Sequence, residues 1–378
     1  MSLDQEKAVL DRYADAAQAR ENELCCPVEY NRTYLEAIPD EILERDYGCG
    51  DPSAHLKPGE TVLDLGSGGG KICFIASQVV GATGRVIGVD MNPEMLALAR
   101  GAAPKLAETL GYANVEFREG RIQDLATDPT AIAAYLRERS VDSAQDALAF
   151  ESYVAQQRRN SPLVASNSVD VVVSNCVLNL VSPEDKAELF REIFRVTKVG
   201  GRVVISDIVC DEDVPQDMQD DPELWSGCIS GAYREDAFLE AFTDVGFYGI
   251  RVLKRDVEPW RTVNGIEFRS VTIEAFKGKE GVCLEGLHAV VYKGPFSHVK
   301  DDDGHVIPRG VRYAVCDKTF RLYQREPYRD HFDFVEPLEP VTPTEPFDCS
   351  RDTLRHPRET KGLEYNATTE SCTGPDCC

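Results

Sequence analysis

The sequence predicts an α/β protein with a doubly wound parallel sheet, followed by a smaller β-rich region. Three observations carry this. From Glu60 the chain alternates short β-branched runs with amphipathic helical stretches. The segment "VLDLGSGGGKICF" places Gly66, Gly68 and Gly70 between an apolar strand and a helix. The next apolar run, "RVIGVD", ends on an acid, Asp90.

Residues 1–55 read as a helical arm, with an amphipathic helix near Val9, Leu10 and Tyr13, a break at Cys25-Cys26-Pro27 and a second helix around Pro39–Arg45. "DYGCGDP" then reads as a Gly/Pro-rich loop. The main domain is expected over 56–250. It contains "TVLDLG" and "RVIGVD" as strands, "PEMLALARGAAPKLAETLG" as a long helix and "VEFREG" as a third strand. A charged, helical stretch over about 124–167 reads as a surface insertion, because a structureless loop of that length is uncommon. The run "VVVSNCVLNL" is a buried strand that ends on Cys176. A helix, a Gly-Gly turn and a strand follow in "KAELFREIFRVTKVGGRVVISDIV". A small β-rich domain is expected over 251–325. Residues 326–378, rich in Pro, Glu, Thr and Arg, read as a mostly disordered tail ending in cysteines.

The formal charge of −24 argues against binding nucleic acid through its phosphates and against docking on anionic membranes. The N-terminus has no signal-peptide core, and no apolar run is long enough for a membrane span. A cytoplasmic protein is therefore expected, and a monomer. In that compartment the 13 cysteines are reduced thiols, available for soft ligands, catalysis or redox turnover. The six histidines show no zinc-site spacing.

Glycines let a loop turn tightly and let a ligand approach the backbone, and an acid after the second strand can grip ribose hydroxyls. Asp64 before Gly66 and "EGRIQDL" after the third strand add specificity. Together these motifs resemble the class I (Rossmann-like) S-adenosylmethionine-dependent methyltransferases. The resemblance implies S-adenosyl-L-methionine as cofactor. It implies Asp64, Gly66, Ser67 and Gly68 around its methionine part, Asp90 and Met91 at the ribose, and Arg121 and Ile122 at the adenine.

Four cysteines stand out by position. Cys49 precedes the core, Cys73 opens the helix after the glycine loop, Cys176 ends the fourth strand, and Cys228 follows the fifth in "LWSGCISGA". Ligands of doubly wound sheets bind at the carboxyl ends of strands, so Cys73, Cys176 and Cys228 are expected around the crevice, with Cys49 in a lid. Any one alone could be a small packed residue. Several thiolates together favour a soft, polarizable centre. Trivalent arsenic is one: it takes three sulfurs in a pyramid and keeps a lone pair on the open side.

"DYGCG", "DLGSGGGKICF", "SNCVLNLV" and "LWSGCISGA" resemble, in order and spacing, the motifs of arsenite methyltransferases. The resemblance implies that Cys176 and Cys228 bind arsenic(III), with Cys49 and Cys73 as further ligand and redox partner. It also implies a disulfide reopened by thioredoxin or glutathione, in which one of Cys25 and Cys26 could share. Asn175 and Trp225 stand beside the two binding cysteines, as matching residues do in the family, and Asn175 is counted with the cofactor site. The chain departs from the family at Ile72 and Gly227, where some members carry acids, and in the large insertion. Cys210 and Cys283 read as core, Cys316 and Cys349 as uninvolved, and Cys372, Cys377 and Cys378 as part of a loose tail. Two other readings stay open: methylation of a small quinone- or sterol-like acceptor, and thiol-based arsenic binding without turnover.

Overall fold

Five apolar runs form the parallel part of one sheet: β1 (Thr61–Leu65), β2 (Arg85–Asp90), β3 (Val115–Glu119), β4 (Val169–Asn175) and β5 (Thr197–Cys210). In the computed structural model, which describes residues 3–21, 28–45, 47–279, 281–350 and 353–368, their order is β3-β2-β1-β4-β5. β4 is buried on both faces, so its valines form a continuous run rather than an alternating pattern. Winding reverses between β1 and β4, and the crevice beyond their carboxyl ends is the standard ligand position in such sheets.

The helices of this unit are α1 (Leu3–Gln18), α2 (Arg32–Leu35), α3 (Asp40–Glu44), α4 (Lys71–Val80), α5 (Pro93–Leu110), α6 (Pro129–Glu138), α7 (Ala144–Asn160), α8 (Pro183–Val196), α9 (Gln216–Gln219), α10 (Pro222–Ser226) and α11 (Glu235–Asp244). α5 starts at an Asn92 cap whose side chain accepts from the Glu94 and Met95 amides, and stops at Gly111 in the left-handed region. The 124–167 stretch holds α6 and α7, capped by Asp128 and Ser143. Tyr135 stacks on Tyr153 at 4.3 Å between ring centroids, joining these two helices, and α7 buries none of its residues.

The sheet continues in the antiparallel sense. β9 (Ile266–Phe276) pairs with β5, β7 (Tyr248–Arg255) pairs with β9, and β8 (Arg261–Val263) forms a short hairpin with β9. A two-residue strand, β6 (Tyr233–Arg234), pairs in parallel with the end of β5. The chain therefore divides at Gly278, after β9, which corrects the boundary expected at 251. The strand-like composition there was real; its partner is the main sheet.

The second unit, Lys279–Cys378, contains a three-stranded antiparallel sheet ordered β13 (Tyr313–Ala314), β10 (Ala289–Tyr292), β14 (Phe332–Val335). A hairpin of β11 (His298–Lys300) and β12 (Val306–Pro308) and one helix, α12 (Asp317–Tyr323), complete it. The expectation of a disordered tail from 326 is corrected as far as residue 368. β14 pairs with β10, Ala314 donates to the Thr353 carbonyl at 2.8 Å, and Thr360 is wholly buried. Polar composition concealed this, because the segment is held by hydrogen bonds and by ion pairs such as Arg355–Glu285 more than by apolar burial. Cys25, Cys26, Cys372, Cys377 and Cys378 lie outside the described residues. Among the described residues no helix is long and apolar enough to cross a membrane.

Candidate active site

The carboxyl end of β1 runs into Gly66-Ser67-Gly68, where the amides of Gly66 and Ser67 both donate to the Val89 carbonyl, at 2.8 and 3.0 Å. Gly66 sits at φ +69°, and a Cβ there would come within 2.4 Å of the Val177 side chain. Only glycine allows β1 and the turn after β4 to meet so closely. At the end of β2, Asp90 accepts from the Gly68 amide through Oδ2 and from the Asn92 amide through Oδ1, both at 2.8 Å. Burial raises its pKa against these stabilising amides.

Between these loops lies a cavity of about 730 Å³, open to solvent, whose walls include Gly66, Gly68, Asp90, Met91, Ile122 and Val177. α1 supplies another wall through Glu6, Val9, Leu10 and Tyr13, so the N-terminal helix covers the crevice. A smaller adjoining cavity is lined by Tyr13, Asp64, Ser67, Asn175, Cys176 and Val177. The buried Ser67 hydroxyl beside it has no hydrogen-bond partner among the described residues. An orphaned hydroxyl, an acid at the second strand end and an apolar slot at Ile122 together suit a nucleoside carrying a polar amino-acid arm.

Cys176 follows β4 and its amide donates to the Ser206 carbonyl on β5 at 2.8 Å. Its φ is +65°, and that of Cys228 is +60°. Left-handed backbone at a residue other than glycine, asparagine or aspartate is uncommon and costs of order 1–3 kcal/mol. The Cys228 thiol donates to the Cys176 carbonyl at 3.3 Å and lies 3.9 Å from the Tyr13 hydroxyl. The sulfurs of Cys49 and Cys176 and a carboxylate oxygen of Asp207 lie within 4.8 Å of one another. All three cysteines are buried and packed with Ile208, Trp225 and Phe268.

Comparison with known proteins decides the family. A model described as a methyltransferase domain matches residues 56–260, and one described as a domain of unknown function matches 279–365. The arsenite methyltransferase of Aquipseudomonas alcaligenes is 32% identical, the match covering 82% of this chain and 84% of that protein. The chain belongs to the arsenite methyltransferase family. The Mus musculus enzyme of that name is 30% identical, over 81% of this chain and 75% of its own length. The crystal structure of an arsenic(III) S-adenosylmethionine methyltransferase from Chlamydomonas reinhardtii is 29% identical, with a TM-score of 0.55, covering 85% of this chain and all of that one.

In this arsenite methyltransferase family member, the fixing of Cys49 explains the "GCG" around it. The Cys49 and Gly50 amides donate to Asn175 Oδ1 at 2.9 and 3.0 Å, and Asn175 Nδ2 donates to the Gly50 carbonyl at 2.8 Å. Ser270 on β9 donates to the Cys49 carbonyl at 2.7 Å. A Cβ on Gly48 would lie 2.1 Å from Asn175 Nδ2, and one on Gly50 would lie 2.5 Å from Ser206 Oγ. Two glycines thus let the loop lie flat against the ends of β4 and β5. Asn175, expected at the cofactor, lines the smaller cavity, but its amide is engaged by this loop and by the Tyr30 hydroxyl at 3.2 Å.

Cys73, expected around the crevice with Cys176 and Cys228, is placed apart in the layer beneath it. Its Sγ donates to Asp64 Oδ2 at 3.2 Å, and it packs with Val62, Val171 and Val204. Burial first, then Asp64, pushes this thiol well above its ordinary pKa. Arg121, expected at the adenine, has a guanidinium that is more than half exposed and pairs with Glu6 at 2.5 Å, while Ile122 and Gln123 line the cavity. Trp225 is buried, donating to the Leu180 carbonyl at 3.2 Å.

Asp207 escaped the sequence reading, in which "VVISDIV" is simply a strand. The register pairs Asn175 with Ser206, so the next residue on β5 lies beside the turn that carries Cys176. Asp207 is wholly buried and accepts from the Leu178 and Ile208 amides at 2.9 and 2.8 Å. Burial outweighs those bonds and raises its pKa to about 7. Its charge in turn raises the thiols. The Cys228 thiol is pushed well above its ordinary range first by its hydrogen bond with Cys176 and then by burial. For Cys176 the bond from Cys228 pulls downward, but bonding to Cys49 and burial win, and the net shift is upward. A signal for Asp207 did exist: an acid inside an apolar run signals either a paired charge or a functional one.

Proposed function

We propose that this chain transfers methyl groups to trivalent arsenic held by Cys49, Cys176 and Cys228. The single observation carrying the reading is that Cys176 lines the cavity adjoining the large crevice, the two sharing Tyr13, Gly66, Gly68 and Val177. A thiol-bound acceptor and a nucleoside-type cofactor would therefore occupy neighbouring space. Asp64, Ser67, Asp90, Met91 and Ile122 would hold S-adenosylmethionine. Bound there, it supplies a methyl group on positively charged sulfur, an electrophile suited to a soft lone pair.

The protein's own part is binding, aiming and keeping water out. Three thiols displace the three hydroxyls of arsenite, and each thiol proton leaves with a hydroxide as water. Raised pKa values keep the Cys176 and Cys228 thiols protonated until arsenic arrives, which suits this exchange. The Cys49 and Cys176 sulfurs already lie together, and the Cys228 thiol, bonded to the Cys176 carbonyl, would supply the third sulfur and leave the lone pair on the open side. Tyr13 and the apolar side chains Val9 and Leu180 shield the site from water, favouring transfer over side reactions.

Methylation oxidises arsenic formally from trivalent to pentavalent. Two thiols becoming a disulfide return the two electrons, and a cellular dithiol or glutathione reopens that bond by exchange. Cys73 is the proposed redox partner. The test incubates the full chain with arsenite, S-adenosylmethionine and a thiol, and separates the arsenic species formed. Methylated arsenicals are expected. Unmethylated arsenite alone, from protein shown to bind both substrates, would overturn the proposal.

A further inference from the structure

Three cysteines that the sequence assigns to packing, or to nothing, come together in the second unit. The sulfurs of Cys283, Cys316 and Cys349 lie within 4.8 Å of one another. They arrive from three separate segments, each fixed by backbone. Phe347 donates to the Cys283 carbonyl at 2.9 Å, and Glu285 donates to the Glu345 carbonyl at 2.8 Å. These bonds lay the Cys283 segment against the segment leading to Cys349. Asp317 donates to the Leu284 carbonyl at 2.9 Å, which brings in Cys316.

The geometry points to a second soft-ion site in this unit, a three-thiol pocket for trivalent arsenic formed by Cys283, Cys316 and Cys349. It goes beyond the proposed function, since binding here needs no methyl transfer.

The donor set selects the ligand class. Thiolates prefer soft centres, while carboxylate and carbonyl oxygens suit hard cations. The cluster holds three sulfurs and no fourth histidine, cysteine or carboxylate among the described residues. Structural zinc sites are almost always closed by four protein ligands. Trivalent arsenic is satisfied by three sulfurs, its fourth direction being a lone pair.

Surrounding groups fit the same ligand. Cys316 is fully buried, and its sulfur accepts from the Thr319 amide at 3.4 Å, with the Thr319 hydroxyl at 3.2 Å. Such donors stabilise negative charge on sulfur once a proton is lost. Cys283 and Cys349 are only half-buried, which gives the ion a way in. None of the three is joined in a disulfide. Binding of arsenite forms three arsenic–sulfur bonds, breaks three arsenic–oxygen and three sulfur–hydrogen bonds, and releases three waters with no change in oxidation state.

The test counts arsenic. Full-length reduced protein is titrated with arsenite alone, and bound arsenic per chain is measured by native mass spectrometry. Cys283→Ser/Cys316→Ser/Cys349→Ser is compared with wild type, so every other thiol cancels. The wild type is expected to hold one more arsenic per chain, with the rate of arsenite methylation the same in both. Cys283→Ser and Cys349→Ser, at half-buried positions, are each expected to lose the same equivalent and keep the result readable if replacing Cys316 unfolds the unit. Equal stoichiometry in all these proteins would overturn the site. So would zinc or copper at one per chain that depends on the three thiols and blocks arsenite. If wild type binds the additional arsenic but methylates none, the proposed function fails and this site stands.

Discussion

The Cys228 thiol donates to the backbone carbonyl of Cys176 at 3.3 Å, and both residues hold left-handed backbone, at φ +60° and +65°. Two strained cysteines joined in this way indicate positions set by chemistry rather than by folding. At Cys176, glycine should therefore be more stable than alanine by about 1–2 kcal/mol, the reverse of the order in regular structure. Urea unfolding of Cys176→Gly and Cys176→Ala measures the difference, and an alanine variant as stable as glycine would remove the strain.

Asp207 should make stability fall with pH. Its folded-state pKa of about 7 lies above the unfolded carboxylate value, so the folded chain holds the proton more tightly. That stabilisation is complete below about pH 4 and lost as pH rises to 7, on the order of 4 kcal/mol for a shift of about three units. Asp207→Asn should flatten the stability profile between pH 4 and 7. Because the Asp207 charge also raises the thiols, the same variant should shift alkylation of Cys176 and Cys228 to lower pH.

Asn175 separates arsenite binding from cofactor binding. Asn175→Ala removes the acceptor for the Cys49 and Gly50 amides, leaving polar groups that cost about 1–3 kcal/mol each if unsatisfied. Arsenite affinity should fall roughly tenfold or more, one decade per 1.4 kcal/mol. Affinity for S-adenosylmethionine should hold, as calorimetry of each ligand alone would show. A matching loss for the cofactor would return Asn175 to that site.

Asp90 should behave in the opposite way. Asp90→Asn removes the charge facing the large cavity and should weaken S-adenosylmethionine binding about tenfold, while arsenic bound per chain stays constant. Arg121→Ala should leave cofactor affinity unchanged, since its guanidinium pairs with Glu6.

Cys73→Ser should bind arsenite as the wild type does, because Cys73 faces Asp64 in a separate apolar layer. Repeated turnover should suffer more than a first methyl transfer if Cys73 supplies electrons. Rapid-quench comparison of first and later turnovers measures this.

What the sequence made legible was local. The glycine loop, Asp90 and the strand-ending Cys176 are set by short motifs whose backbone requirements are readable residue by residue. Relations across the sheet were not. Asp207 joins the site through β4–β5 register, and Cys73 leaves it because α4 turns its thiol toward Asp64. β7 and β9 have a strand-like composition wherever they pair, so composition could not place the boundary at Gly278. Cys283, Cys316 and Cys349 stand far apart in sequence and converge only through backbone bonds between distant segments.

The most direct measurement is arsenic-edge X-ray absorption of the arsenite complex of Cys283→Ser/Cys316→Ser/Cys349→Ser protein, where the second site is absent. Three sulfur neighbours around arsenic are predicted, falling to two when Cys49, Cys176 or Cys228 is also replaced by serine. An oxygen-only shell, or three sulfurs that persist through those replacements, would contradict the assignment of Cys49, Cys176 and Cys228 as the arsenic-binding thiols.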